Sequence, residues 1–241
     1  MQFILKFINK LLKLWYTFNL NKLGLMFGTD KADGHFYLQH YQKHFRPYKF
    51  KNIKLLEIGV GGYEHHDYGG HSLRMWKSYF WHGKIHALDI YDKSALQENR
   101  IKIFKGSQVD LKFLDKTITE IGDLDIIIDD GSHINEHVIT TFKHLFPKLK
   151  SGGIYVIEDT QTSYWKDKGG DSDNMNNPET MMSFFKSLTD GLNHKEYVKP
   201  GYEPTYFDEN IIAIHFYHNL IFIYKGQNDE PSNLIVNNQR G

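Results

Sequence analysis

A run of apolar β-formers, Ile126, Ile127 and Ile128, is followed at once by Asp129, Asp130, Gly131, Ser132 and His133. A core has no use for three ionisable groups clustered at a strand tip, so the segment reads as a site. A second acidic strand end, Glu158 and Asp159 after the apolar residues 154–157, repeats the pattern. Carboxylate oxygens on two strands, Asp130 and Asp159, suit a hard divalent cation such as Mg²⁺, with waters or substrate oxygens completing its shell. Such a cation lowers the pKa of a hydroxyl and fixes its orientation. An imidazole beside it titrates near neutrality and can accept the proton, and His133 is placed for that role at the expected start of a helix. An aspartate before glycine is also a common turn residue; the repeated acidic end at Asp159 weighs against that for Asp130. His133 and His137 have the i, i+4 spacing of an imidazole metal pair, but a helical histidine is more often satisfied by a neighbour, and His137 is read as structural.

The elements that must position these groups alternate. The segments 53–60, 84–91, 101–106, 123–130 and 154–159 have the composition of buried strands, and 34–45, 69–81, 110–122 and 134–150 that of helices, with Ser151-Gly152-Gly153 as a break. The rhythm implies a doubly wound, mostly parallel sheet with helices on both faces. Ligands in such folds bind at the carboxyl ends of the strands, near the switch in strand order. Glu57, Gly59, Asp89, Asp129, Asp130, Glu158 and Asp159 all fall there. The loop EIGVGGYE spaces Gly59 and Gly61 as G-x-G but carries Glu64 at the third fingerprint position, so by itself it is weak evidence for a nucleotide. Residues 211–226 hold two β-rich runs around Tyr217-His218-Asn219, which read as an antiparallel hairpin rather than another crossover.

Composition narrows the classes. Of 241 residues, 29 are basic and 29 acidic, so no global field attracts nucleic acid. The absence of cysteine removes disulfides, thiolate metal sites and thiol nucleophiles, and fits a reducing, cytoplasmic compartment. At the N-terminus Phe3, Phe7, Leu11, Leu14 and Phe18 fall at helical spacing, with Lys6, Lys10 and Lys13 among them. These lysines break any apolar run of bilayer length, and no small-residue cleavage site follows. The reading is an amphipathic helix that packs on the body or on a second subunit of a homo-oligomer; the alternative is a peripheral membrane contact. The expected organisation is a helical segment over 1–48, a main domain over 49–228 and a tail over 229–241.

The glycine loop after a strand carrying Glu57, Asp89 ending the next strand and the terminal hairpin together resemble a class I S-adenosylmethionine-dependent methyltransferase. A more specific set of segments, GTDKADGHFYLQHYQKHF, LLEIGVGGYEHHDYGGHSLRMW, DDGSHINEH and VIEDTQTSYW, is similar to the macrocin- and mycinamicin-type sugar O-methyltransferases. The similarity covers roughly residues 24–166. It implies a metal-assisted methyltransferase acting on a sugar hydroxyl, with Asp130 and Asp159 as metal ligands and His133 as base. The third carboxylate of that family has no clear match: Glu158 should face away in a regular strand, and Glu64 or a water are the other options. For the cofactor, Gly59 and Gly61 would let the methionine portion approach the backbone and Glu57 would hold its amino group through water. Asp89 would accept from the ribose hydroxyls, Ser107, Gln108 and Asp110 would meet adenine, and Asp129 would face the cofactor or the loop around it.

Tyr164 and Trp165 open a glycine- and asparagine-rich stretch over 166–179 and are read as core aromatics or, by preference, as part of a substrate lid where a ring stacks on a sugar. Two other function classes are set against this reading. An NAD-dependent sugar-nucleotide oxidoreductase or epimerase would need a full G-x-G-x-x-G, against which Glu64 and the hairpin count. A non-catalytic sugar-nucleotide binding protein would have no use for Asp130, His133 and Asp159 together. The acceptor is expected to be a small-molecule sugar: nucleotide-linked, on a surface glycan or on a natural product.

Overall fold

In the computed structural model, residues 15–233, 235–236 and 239–240 are described. Most of the expected N-terminal helix, residues 1–14, lies outside them. The chain divides into two compact units, 1–122 and 123–241.

The first unit begins with α1 (Leu20–Phe27), α2 (Asp30–Asp33) and α3 (Leu38–Phe45). Asn19 caps α1 by accepting from the Lys22 amide, and the helix stops at Gly28 in a left-handed conformation, as a side-chain-free residue permits. The helix expected over 34–45 starts only at Leu38, because Phe36 has φ 57° and cannot join a right-handed turn. Next come β1 (Lys54–Ile58), α4 (His71–Tyr79), β2 (Lys84–Asp89), β3 (Ile101–Lys105) and α5 (Leu111–Ile121). β1 pairs in parallel with β2, Glu57 opposite Ala87, and β2 with β3, Asp89 opposite Lys105. Tyr41 and Phe45 of α3 meet Trp76 of α4 with ring centroids 5.0 and 5.5 Å apart, a buried aromatic seam that fixes the N-terminal helices to the layer over the strands.

The second unit contains β4 (Leu124–Asp129), α6 (Asn135–Leu145), β5 (Leu149–Glu158), α7 (Met181–Gly191), α8 (Tyr206–Asn210), β6 (Ile211–Tyr217) and β7 (Leu220–Lys225), then the short antiparallel pair β8 (Ile235–Val236) and β9 (Gln239–Arg240). β4 and β5 are parallel, and the three isoleucines of β4 are fully buried, as their run predicts. The expected break at Ser151-Gly152-Gly153 is instead inside β5. Gly152, at φ 79°, lets the strand bulge, so Leu124 faces Leu149 while Ile126 faces Ile154. The helix expected over 134–150 accordingly ends at Leu145, two residues before Pro147. β7 runs antiparallel to both β5 and β6, and the hairpin turns through His218 and left-handed Asn219. The strand order of the seven-stranded sheet is β3-β2-β1-β4-β5-β7-β6, the expected doubly wound architecture closed by an antiparallel hairpin.

Candidate active site

The end of β4 and the end of β5 bring three side chains together. The Nε2 atom of His133 lies 3.8 Å from Asp130 Oδ1 and 3.6 Å from Asp159 Oδ2. One donor atom from each residue falls within 4.8 Å of the others, and all three are half-buried. No second group of this kind occurs among the described residues. His133 is not at the start of α6, where it was expected. It has φ 55°, which no right-handed helix accommodates, and the helix begins two residues later at Asn135. Asp159 is likewise left-handed, at φ 54°, immediately after β5. Left-handed backbone at non-glycine residues costs on the order of 1 kcal/mol each and concentrates at functional sites. Here it turns two donors towards a third.

The Asp130 and Asp159 carboxylates have the spacing to hold a divalent cation that keeps water or substrate oxygens in its remaining positions, with the His133 imidazole beside them. Neither residue considered as a third carboxylate joins the cluster: Glu158 is buried in β5 and Glu64 is exposed on the glycine loop. His137 Nδ1 is 3.0 Å from Ser132 Oγ, a neighbour's partnership rather than a ligand position.

The residues expected to hold a cofactor are mostly in the first unit. Gly59 and Gly61 have φ 93° and 76°, and nothing lies within 4 Å of where a Gly61 side chain would begin, so its backbone faces open space. At Gly62 a Cβ would fall 2.1 Å from the Tyr68 carbonyl oxygen, which only glycine tolerates. The loop is closed by a Gly70 amide to Val60 carbonyl bond of 2.7 Å and by the buried Lys93, whose Nζ donates to the carbonyls of His65 (2.7 Å) and Tyr68 (3.0 Å). Asp89 Oδ2 accepts from the Val60 amide at 2.9 Å and Oδ1 from the Tyr91 amide at 2.8 Å. That fixes the carboxylate between two loops, and each oxygen has a second lone pair suited to a ribose hydroxyl.

Other expected residues have structural partners. Glu57 is fully buried and 3.4 Å from the equally buried Lys31 of α2. Asp110 caps α5 by accepting from the Phe113 amide at 3.1 Å. Ser107 Oγ accepts from the Val109 amide at 3.4 Å, and Gln108 is buried. Asp129, in the second unit, is buried and accepts from the Tyr155 hydroxyl at 3.3 Å. Burial pushes that phenol well above its usual range, with the Asp129 charge adding to the effect, so it stays a donor.

Tyr164 and Trp165 are 37% and 49% exposed, which sets aside the core-aromatic alternative. The stretch after them is built on Asp171, which accepts from the amides of Asp173 and Asn174 and from the Asn177 side chain at 2.9–3.0 Å. Sequence reasoning missed three residues here: Lys31, Lys93 and Asn135. Each is buried and acts on residues 25 or more positions away, which no local pattern reports.

No family model matches the chain. It is 49% identical over 214 residues to the mycinamicin VI 2''-O-methyltransferase of Micromonospora griseorubida, covering 88% of this chain and 54% of that protein. It is 47% identical over 214 residues to the demethylmacrocin O-methyltransferase of Streptomyces fradiae, with 88% and 54% covered. A methyltransferase from the mycinamycin biosynthetic pathway, solved in complex with Mg and SAH, superposes with a TM-score of 0.85 at 47% identity over 88% of this chain and 55% of that one. The chain thus spans about half the length of the curated relatives it matches, and its fold is that of the class I methyltransferases.

Proposed function

We propose, on the premise that this chain is a homologue of the macrocin- and mycinamicin-type sugar O-methyltransferases, that it methylates a sugar hydroxyl with S-adenosylmethionine and a divalent metal, most simply Mg²⁺. The observation that carries the reading is the Asp130, His133 and Asp159 cluster at two adjacent strand ends. Asp130 and Asp159 would hold the cation, which when bound lowers the pKa of an acceptor hydroxyl. His133 then accepts the hydroxyl proton at Nε2, the atom that faces both carboxylates. Gly59, Gly61 and Asp89, with Glu57 behind them, are the residues for the cofactor, which supplies an already activated methyl group. Ser107, Gln108 and Asp129 flank that role, and Asp110 contributes first as a helix cap. Tyr164 and Trp165 offer exposed aromatic faces for a sugar ring. The acceptor class is a small-molecule sugar: a natural-product glycoside, a nucleotide-linked sugar or a glycan terminus.

Calorimetric titration with S-adenosylmethionine, S-adenosylhomocysteine and NAD tests this reading. Micromolar binding of the first two and none of NAD is expected; NAD binding alone would transfer the chain to the oxidoreductases. A separable proposal concerns the N-terminus: a peripheral membrane contact through residues 1–18. It is supported by the lysines among their apolar residues and by Phe18, which is 62% exposed.

A further inference from the structure

Asn135 lies inside the segment DDGSHINEH, two residues beyond His133, yet no role in binding or proton transfer falls to it. Its side chain is completely buried at the first turn of α6. The Nδ2 group donates to the carbonyl oxygens of Thr162 at 3.0 Å and Lys168 at 2.9 Å, and Oδ1 accepts from the Met181 amide at 2.7 Å. One amide therefore uses both of its donor hydrogens and an acceptor on the backbone of three separate turns. The first is the turn that starts at Asp159 and ends at Tyr164; the second precedes the Asp171 loop; the third begins α7. Thr162 is itself tied back to Asp159, its amide and hydroxyl both donating to the Asp159 carbonyl at 3.2 and 3.1 Å. Lys168 adds a return contact, Nζ to the Ser132 carbonyl at 3.2 Å.

From this arrangement we infer that Asn135 is a positioning residue: it locks the turn carrying Asp159, Tyr164 and Trp165 to the turn carrying His133, so that the cluster is preformed. A preformed site matters because both His133 and Asp159 sit in left-handed backbone, which persists only where the surroundings over-determine it. Without the amide, the segment 160–168 loses its ties from α6 to the Thr162 and Lys168 carbonyls, and with them part of what holds Asp159 beside Asp130. The inference rests on the reading of Asp130, His133 and Asp159 as a metal-binding site.

The test uses Mn²⁺ alone, titrated into the full chain and followed by electron paramagnetic resonance. Asn135→Ala removes every side-chain bond, whereas Asn135→Asp keeps the acceptor for the Met181 amide but replaces the two donors with a carboxylate oxygen facing the Thr162 and Lys168 carbonyls. Both variants are expected to bind Mn²⁺ at least tenfold more weakly than wild type, and amide hydrogens within 160–168 to exchange at least tenfold faster while those of β4 and β5 do not. Phe185→Leu, in the aromatic cluster of α7 with Phe142, serves as a control for general loss of stability and should leave Mn²⁺ affinity unchanged. Wild-type affinity in both Asn135 variants overturns the inference alone. A wild-type chain that binds no Mn²⁺ overturns the metal-site reading, and the inference with it.

Discussion

His133 is held in a conformation that its own side chain does not favour, and this makes it possible to separate its chemistry from its shape. Asparagine adopts left-handed backbone readily, so His133→Asn should keep the turn before α6 while removing the imidazole. The melting temperature should stay within a few degrees of wild type. The rate constant kcat should fall by roughly 10²–10⁴-fold, the usual contribution of a positioned general base, and should recover in part at high pH. Mn²⁺ affinity should change little, because two carboxylates remain. A variant that keeps full kcat would show that the proton leaves by another route, and one that loses the metal would make His133 a ligand. The neighbouring identities were legible from the sequence because the chemistry demands rare residue types at strand ends. The left-handed turns at His133 and Asp159 were not, since backbone sign depends on what surrounds a residue.

The strand layer of the first unit carries its own titration. His86 of β2 is buried, and burial pushes its imidazole down to about 4, although the Leu55 carbonyl near Nδ1 works in the opposite direction. The unfolded chain, with an ordinary histidine near pH 6.5, binds this proton where the folded chain does not. Stability is therefore unaffected above about pH 6.5 and is lost as pH falls towards 4, by on the order of 3 kcal/mol if this group acts alone. Urea unfolding at pH 4.5 and 7 should show a smaller difference for His86→Gln than for wild type; equal differences would remove His86 as the cause. At this scale the sequence was informative about which elements form and less so about where they stop. The helix read over 134–150 ran through Pro147, whereas α6 stops at Leu145, because a proline restricts the residue before it and cannot continue the hydrogen-bonded turn. The strand β5 was read as starting five residues late, because glycines that signal a break also permit a bulge. Phe36 gave no warning that α3 would start late, for an aromatic with positive φ is a choice made by packing.

For the molecule as a whole, the fold class followed from alternation of apolar runs and helical segments, which is a global property of the sequence and robust to local error; the strand order did not, because it depends on which strands pair at a distance. Its balanced charge gives no general attraction to a membrane, so any contact with lipid must come from a local face. If residues 1–18 provide one, the full chain should sediment with anionic vesicles and release at high salt, and a chain lacking these residues should stay in solution. Equal behaviour of both would assign the segment to packing or to a second subunit. No helix among the described residues is long and apolar enough to cross a membrane. The central claim, metal-assisted methylation of a sugar hydroxyl, is tested most directly by transfer of a labelled methyl group from S-adenosylmethionine to a panel of deoxysugar glycosides and nucleotide sugars, run with chelator and then with Mg²⁺ added back. The account predicts transfer to a sugar hydroxyl that chelation abolishes and Mg²⁺ restores, with Asp130→Asn and Asp159→Asn needing more metal. Transfer that continues undiminished after exhaustive chelation would contradict it.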